Sequence, residues 1–291
     1  MTPLVRESEN LFLKCEFLHP GRSHKARVAV SLIDDAERSG ALAGNGAKVL
    51  LERTGGNLGV GLALEAGARG YALTLVAEAA YSQVKKAIAR QLGATVIVRE
   101  SAFPGCRDSG EAIAMLLAED GEKYHYLNQF ENPANPQTHE TRTGPEIADQ
   151  LRDAGVPPSA VVTLVTGMGT GATMYGVSTA LRKHFAQVET VAVQPANCDL
   201  RAGVYGDHPL QGVAVGQPAP FFDVSSLDTI VDVADADVVA ARTALLRSLR
   251  FHVGPTSLAN YAATHKVRDR QSDRRERVYV SLLFDRGEDY V

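Results

Sequence analysis

Three cysteines, Cys15, Cys106 and Cys198, are too few and too scattered for a disulfide framework. No CxxC pair occurs, so structural zinc spacing is missing as well. The histidines, at 19, 24, 125, 139, 184, 208, 252 and 265, show no metal-ligand spacing, and most are expected at the surface. There is no GxSxG elbow of a serine hydrolase. No apolar run reaches membrane-spanning length, and the N-terminus shows no cleavable signal pattern. A soluble protein of a reducing cytoplasm is therefore expected, with no metal and no membrane partner. Neither sign of charge dominates: 30 Lys and Arg stand against 34 Asp and Glu. The net charge of −4 gives no reason to expect nucleic acid as a partner.

What is present is ordinary globular material. Hydrophobic residues make up 45% and charged residues 22% of 291, enough for one large or two modest domains. Strand-like runs at 11–17, 47–52, 71–77, 94–98 and 124–127 alternate with helical spacers at 25–38, 57–69, 82–93 and 108–119. That alternation predicts a parallel sheet covered on both faces. NQFENPANP, 128–136, reads as a loop or hinge. Helix returns at 139–155, then a strand at 160–165, a helix to 184 and a strand at 189–195. An irregular stretch, 195–225, leads to helices near 235–250 and 257–267 and a last strand at 278–284. The charged run 268–277 reads as a solvated loop. Two α/β halves with a cleft between them as the site are the expected arrangement.

Four stretches carry candidate chemistry. HPGRSHKARVAVSLIDDAERSG, 19–40, is a turn entering an amphipathic helix through Ala29, Leu32, Ile33 and Ala36, with Lys25 at the junction. That lysine is either solvated or an amine whose pKa a helix N-terminus and burial lower toward Schiff-base chemistry. TGMGTGAT, 166–173, is strand, Gly-rich turn, helix, a setting that offers backbone N–H groups to a phosphate. Gly167, Gly169 and Ala172 also fit a dinucleotide fingerprint, but the next strand ends in Gln194-Pro195 rather than an acidic residue. TGGNLG, 54–59, has the same setting and suits a carboxylate, or is a turn with Asn57 as N-cap. GPTSLANYAA, 254–263, places Thr256 and Ser257 at a helix start, where capping is the plain reading.

Together these stretches resemble the pyridoxal-phosphate enzymes of the cysteine synthase (O-acetylserine sulfhydrylase) and cystathionine β-synthase family. The resemblance runs in order along nearly the whole chain. TPLVR resembles the family's opening, PGRSHKAR its PGGSVKDR, and TGGNLG its TSGNTG. LGA at 92–94 also has a counterpart. NQFENPANPQTHETRTGPEI is close to QFDNPANPxxHxxTTGPEI. GMGTGAT resembles GxGTGGT, LQGVAVG resembles IQGIGAG, GPTSLA resembles GISSGA, and the DRGEDYV terminus matches.

The resemblance implies a tryptophan synthase β-like, fold type II architecture: two α/β subdomains with mostly parallel sheets and the cofactor in the cleft between them. It implies an N-terminal subdomain over 1–131, with residues 1–20 crossing to the other, and a C-terminal subdomain over 132–291. Lys25 would hold the pyridoxal 5′-phosphate aldehyde as a Schiff base and, once displaced, take the substrate Cα proton. Asn57 would meet the cofactor 3′-oxygen. Gly169, Thr170, Gly171, Ala172 and Thr173 would form the phosphate loop, and Thr256, or else Ser257, would sit beside the pyridine nitrogen. Thr54, Gly55, Gly56 and Gln129 would receive the substrate carboxylate, with Leu58 and Ala214 lining the substrate side. A hydroxyl beside the ring nitrogen does not hold it protonated as a carboxylate would, so loss of a β-leaving group is the favoured exit. The implied reaction is β-elimination to an aminoacrylate followed by addition of a nucleophile. It uses small-molecule substrates, in a homodimer.

The departures fall mainly on the substrate side, with Ala172 of the phosphate loop as an exception. Where the family has Gly, Val and Asp around the lysine, this chain has Arg22, His24 and Ala26. Gly55 and Leu58 replace Ser and Thr hydroxyls, and Ala172 and Ala214 replace glycines. Arg22 and His24 are expected to bring donors to the mouth of the site and to favour a partner with an extra anionic group. A lyase or dehydratase that stops at elimination, and a catalytically weak binding subunit, remain the alternatives.

Overall fold

Continuous apolar runs become strands and amphipathic runs become helices, in alternation. The computed structural model describes residues 1–42, 48–271 and 276–290. The first stretch of chain forms β1 (Leu4–Ser8), β2 (Leu11–Cys15), α1 (Lys25–Arg38), β3 (Val49–Arg53), α2 (Asn57–Arg69), β4 (Leu73–Ala77) and α3 (Gln83–Gln91). It continues with β5 (Thr95–Val98), α4 (Arg99–Ala102), α5 (Ser109–Asp120) and β6 (Tyr124–Tyr126). Next come α6 (Ala134–Thr138), a π-helical turn His139–Thr143, and α7 (Gly144–Asp153). The last part holds β7 (Val161–Gly167), α8 (Ala172–Leu181), β8 (Gln187–Pro195), β9 (Thr229–Val233), α9 (Asp235–Ser248), α10 (Pro255–Arg270) and β10 (Arg277–Leu283).

The chain divides into two compact units. One comprises Met1–Leu18 with Pro136–Glu288; the other comprises His19–Asn135 together with the C-terminal residues from Asp289.

The first unit is built on a six-stranded sheet in the order β1-β2-β10-β7-β8-β9. Only the β1–β2 pair is antiparallel; the other four pairings are parallel. All seven residues of β7 are buried, as a central parallel strand with both faces covered requires. Val162 and Leu164 pack into a core with residues of α7 and α8, and Val165 points to a second core with residues of α9 and α10.

The other unit carries a parallel four-stranded sheet in the order β5-β4-β3-β6. Leu50 and Leu75 pack against α1 and α2, while Leu51 and Val76 face Ala112 and Ile113 of α5. Helices α1 and α2 cross closely at Gly61, where an added Cβ would meet the Ala26 Cα at 3.1 Å. The departure to Ala26 therefore sits at a helix crossing rather than in open space.

Several elements differ from the sequence reading. Strands β1 and β9 escaped it because both are short edge strands carrying charge or polar residues, so their apolar signal is weak. Helix α8 stops at Leu181, and residues 182–184 form a turn. Helix begins inside the expected hinge, at Ala134. The charged run is not one loop: Arg268–Arg270 finish α10 and Arg277, buried, starts β10. Residues 272–275 of that run, and residue 47 of the β3 run, lie outside the described residues. Among the described residues no helix is long and apolar enough to cross a membrane.

Candidate functional site

Lys25 is the first residue of α1, directly after His24. It is partly exposed, yet burial of its amine lowers its pKa to about 8, with the Glu52 carboxylate pulling the other way. Glu52 is fully buried, and burial lifts its carboxyl well above the usual range. Its Oε1 accepts from Arg53 N at 3.0 Å and its Oε2 from Gln129 N at 3.1 Å. One buried carboxyl group thus ties the loop leaving β3 to the segment leaving β6.

The β3–α2 loop is tight. Thr54 Oγ1 accepts from Gly56 N at 3.3 Å. A Cβ on Gly55 would lie 2.8 Å from the Ala77 Cβ and 3.0 Å from the Tyr81 Cβ, so Tyr81 occupies the space a larger residue would need. The N-cap of α2 is Gly56, not Asn57, which is the first helical residue; the capping reading of Asn57 does not hold. Leu58 is 2% exposed and packs with Leu62 and Leu75 under the loop. Gln129 is buried, and its Nε2 donates to the Arg53 carbonyl at 3.3 Å.

The glycine-rich turn between β7 and α8 is held from beneath. Gly171 caps α8 with φ 80°, a left-handed backbone that favours glycine. A Cβ there would meet the Phe222 Cβ at 2.8 Å, and one on Gly169 would meet the Gly212 carbonyl at 2.5 Å. Ala214 N donates to Met168 O at 2.9 Å and Phe221 N to Thr170 O at 3.1 Å, so the segment 212–222 lies along the turn. Gly167 N donates to Asn260 Oδ1 at 2.8 Å, which locks the turn to α10. Thr173 Oγ1 lies 3.2 Å from His139 Nε2, and His139 Nδ1 lies 3.1 Å from Thr143 Oγ1.

At the start of α10, Gly254 is the N-cap and neither Thr256 nor Ser257 caps it. Thr256 Oγ1 donates to Gln211 O at 3.1 Å. Ser257 Oγ accepts from Phe284 N at 2.8 Å and donates to the buried Asp285 carboxylate at 3.4 Å. Ser257 is therefore a pin between α10 and the end of β10.

The histidines correct the sequence reading. Only His184 and His252 are exposed, while His24 and His139 are buried. Arg22 is bound to Asp289 rather than offered to a ligand, with Nε 3.0 Å and 3.2 Å from the two carboxylate oxygens. Glu52, Arg53, Tyr81, His139 and Asn260 were missed as contributors. For His139 the signal lay in the sequence, inside the NPANPQTHETRTGPEI stretch.

The family of pyridoxal-phosphate dependent enzymes matches residues 1–285. The chain belongs to that family. It is 34% identical over 300 residues to a probable cysteine synthase of Bacillus subtilis (strain 168), covering 100% of this chain and 93% of that protein. It is 31% identical over 303 residues to cysteine synthase A of Salmonella typhi, covering 100% and 91%. The crystal structure of an O-ureido-L-serine synthase superposes with a TM-score of 0.84 at 30% identity, over 99% of this chain and 90% of that one. A hydrogen sulfide-producing enzyme from Fusobacterium nucleatum superposes with a TM-score of 0.85 at 29% identity, over 100% and 95%.

As a pyridoxal-phosphate dependent enzyme, the chain must offer an amine to an aldehyde and donors to a phosphate. The donor set fits. Lys25 has an amine made less basic by burial. The α8 N-terminus has N–H groups without intrahelical acceptors, behind glycines whose Cβ positions are filled by neighbouring atoms. A buried threonine, Thr173, adds a hydroxyl at the same place.

Proposed function

We propose that the protein catalyses β-replacement on an activated serine-type amino acid, giving cysteine or another β-substituted alanine. The observation that carries this reading is the Lys25 amine at the head of α1, in surroundings that lower its pKa to about 8. An amine near that pKa is neutral often enough at physiological pH to form an imine and to take up a proton. The likeness to cysteine synthases and to the O-ureido-L-serine synthase supports the choice of reaction.

When bound, pyridoxal phosphate supplies an electron sink that lets the Cα–H bond and then the Cβ leaving-group bond break. In this proposal Lys25 receives the Cα proton. The backbone N–H groups of Gly169, Thr170, Gly171, Ala172 and Thr173 hold the phosphate. His139 can donate from Nε2 to Thr173 Oγ1 while Thr143 donates to its Nδ1, leaving the Thr173 hydroxyl hydrogen for a phosphate oxygen. Asn57 serves the ring oxygen. Thr256 serves the ring nitrogen by turning its hydroxyl from the single Gln211 carbonyl contact, whereas Ser257 both accepts from Phe284 N and donates to Asp285. The Thr54–Gly56 amides and Gln129 receive the substrate carboxylate, held at their spacing by Glu52. A division of labour between an N-terminal and a C-terminal subdomain is part of the same reading. So are a homodimer and a reducing cytoplasm, the last in keeping with three buried free cysteines.

A lyase that stops at elimination is the second reading, favoured by the likeness to the hydrogen sulfide-producing enzyme. Incubating the holoenzyme with O-acetylserine and sulfide separates the two by product. A β-substituted alanine with little keto acid supports replacement. Keto acid and ammonia alone support the lyase, and absence of both products across a panel of activated serines contradicts the proposal.

A further inference from the structure

Arg53 ends β3 and immediately precedes the Thr54–Gly56 loop. Successive strand residues face opposite sides of the sheet, so Arg53 points away from Glu52, toward α5. Its guanidinium lies over the Phe130 ring, 4.0 Å from the centroid. Gly110 in the first turn of α5 passes close by, where an added Cβ would meet Arg53 Nη1 at 2.9 Å. The Tyr126 and Tyr81 hydroxyls both feel its charge. The head group is thus held in a fixed place by aromatic rings and a glycine.

What it lacks is a close counter-ion: Asp108 Oδ1 flanks the same Gly110 position and the Glu52 carboxyl feels its charge, but neither forms an ion pair with it. Among the described residues no carboxylate forms an ion pair with Arg53, and its buried Nε has no acceptor. The adjacent Glu52 has both oxygens engaged by the N–H groups of Arg53 and Gln129. A half-buried guanidinium without an anion is costly, and a fixed planar fork is suited to a carboxylate or phosphate. The position is also telling. The Arg53 carbonyl accepts from Gln129 Nε2 at 3.3 Å, so this residue bridges the two segments assigned to the substrate carboxylate.

We propose that Arg53 is a specificity residue that binds a second anionic group, carried by the activated serine or by the nucleophile. The inference rests on the β-replacement reading above. It also moves the expected preference for an anionic partner from Arg22, which is engaged by Asp289, to Arg53.

Two matched pairs of compounds test it on the holoenzyme. O-Succinylserine and O-acetylserine differ by one carboxylate on the leaving group, and mercaptoacetate and 2-mercaptoethanol by one on the nucleophile. In the wild type, kcat/KM should favour the anionic member of one pair by about ten- to a hundred-fold, the range expected for a hydrogen bond to a charged group. The pair that responds identifies which partner carries the anion. Arg53→Gln should bring that ratio close to unity. Phe130→Leu, which unseats the guanidinium, should lower it several-fold and serves if the glutamine variant fails to fold. A ratio near unity for both pairs in the wild type, or an unchanged ratio in Arg53→Gln, overturns the assignment. If no donor is turned over, the replacement reading fails, and calorimetric titration with O-succinylserine still decides. Binding weakened in Arg53→Gln upholds the anion site, and equal binding overturns it.

Discussion

The Arg22 guanidinium closes on the Asp289 carboxylate, which is 2% exposed while the arginine side chain is 30% exposed. The pair anchors the C-terminal residues beside the turn that leads into α1, where Ser82 Oγ also donates to Asp289 O at 2.7 Å. Arg22 adopts φ 67°, a left-handed conformation that costs a non-glycine residue about 1 kcal/mol.

Two substitutions at Arg22 therefore separate the ion pair from the backbone. Arg22→Ala should lose about 1.5–3 kcal/mol, because Asp289 is left buried without its guanidinium. Arg22→Gly loses the same pair but relieves the left-handed strain, so it should be the more stable by about 1 kcal/mol. Urea unfolding of both variants checks the order; equal stabilities would contradict the strain at this position.

The Lys25 amine gives a pH prediction. Its folded pKa is lowered from 10.5 to about 8, so the neutral form is favoured by the fold. Burying the charged form weighs on stability below pH 8, and that burden fades as pH rises from about 8 to 10.5. In the cofactor-free protein, acetic anhydride should label Lys25 with a midpoint near pH 8. Because Glu52 raises the Lys25 pKa, Glu52→Gln should move that midpoint lower. A midpoint near that of ordinary lysines would contradict the burial.

The turn before α8 predicts an unusual intolerance. Gly171→Ala should abolish cofactor binding or fold locally wrong, since its Cβ would stand 2.8 Å from that of Phe222 on a left-handed backbone. His139→Phe should weaken cofactor affinity about ten-fold by releasing Thr173, a loss of roughly one charged-group hydrogen bond. Equilibrium dialysis with pyridoxal phosphate reads both; unchanged affinity in either variant would contradict the cradle.

The two hydroxyls of α10 should separate by observable. Ser257→Ala leaves Phe284 N without its acceptor and should cost about 1–3 kcal/mol of stability. Thr256→Ala should alter the visible spectrum of the bound cofactor more than it alters the melting temperature. The reverse pattern would exchange their roles.

The parallel α/β architecture was legible because buried parallel strands such as VVTLVTG read as short continuous apolar runs, while helices such as KARVAVSLIDDAER carry a helical apolar period. The placement of Lys25 at the head of α1 and of the 169–173 turn before α8 was legible, because a turn entering a helix has a local signature. Glu52 and His139 were not. Each acts through partners distant in sequence, Gln129 and Thr173, and burial decides its chemistry. Arg22 misled for the same reason: its partner, Asp289, lies at the other end of the chain.

The most direct measurement is of Lys25 itself. The purified protein is reduced with borohydride in the presence of pyridoxal phosphate, digested, and read by mass spectrometry. The account predicts a pyridoxyl group on the peptide containing Lys25, and none in Lys25→Ala. A pyridoxyl group on another residue, such as Lys85 or Lys86, or unmodified protein alone, would contradict it.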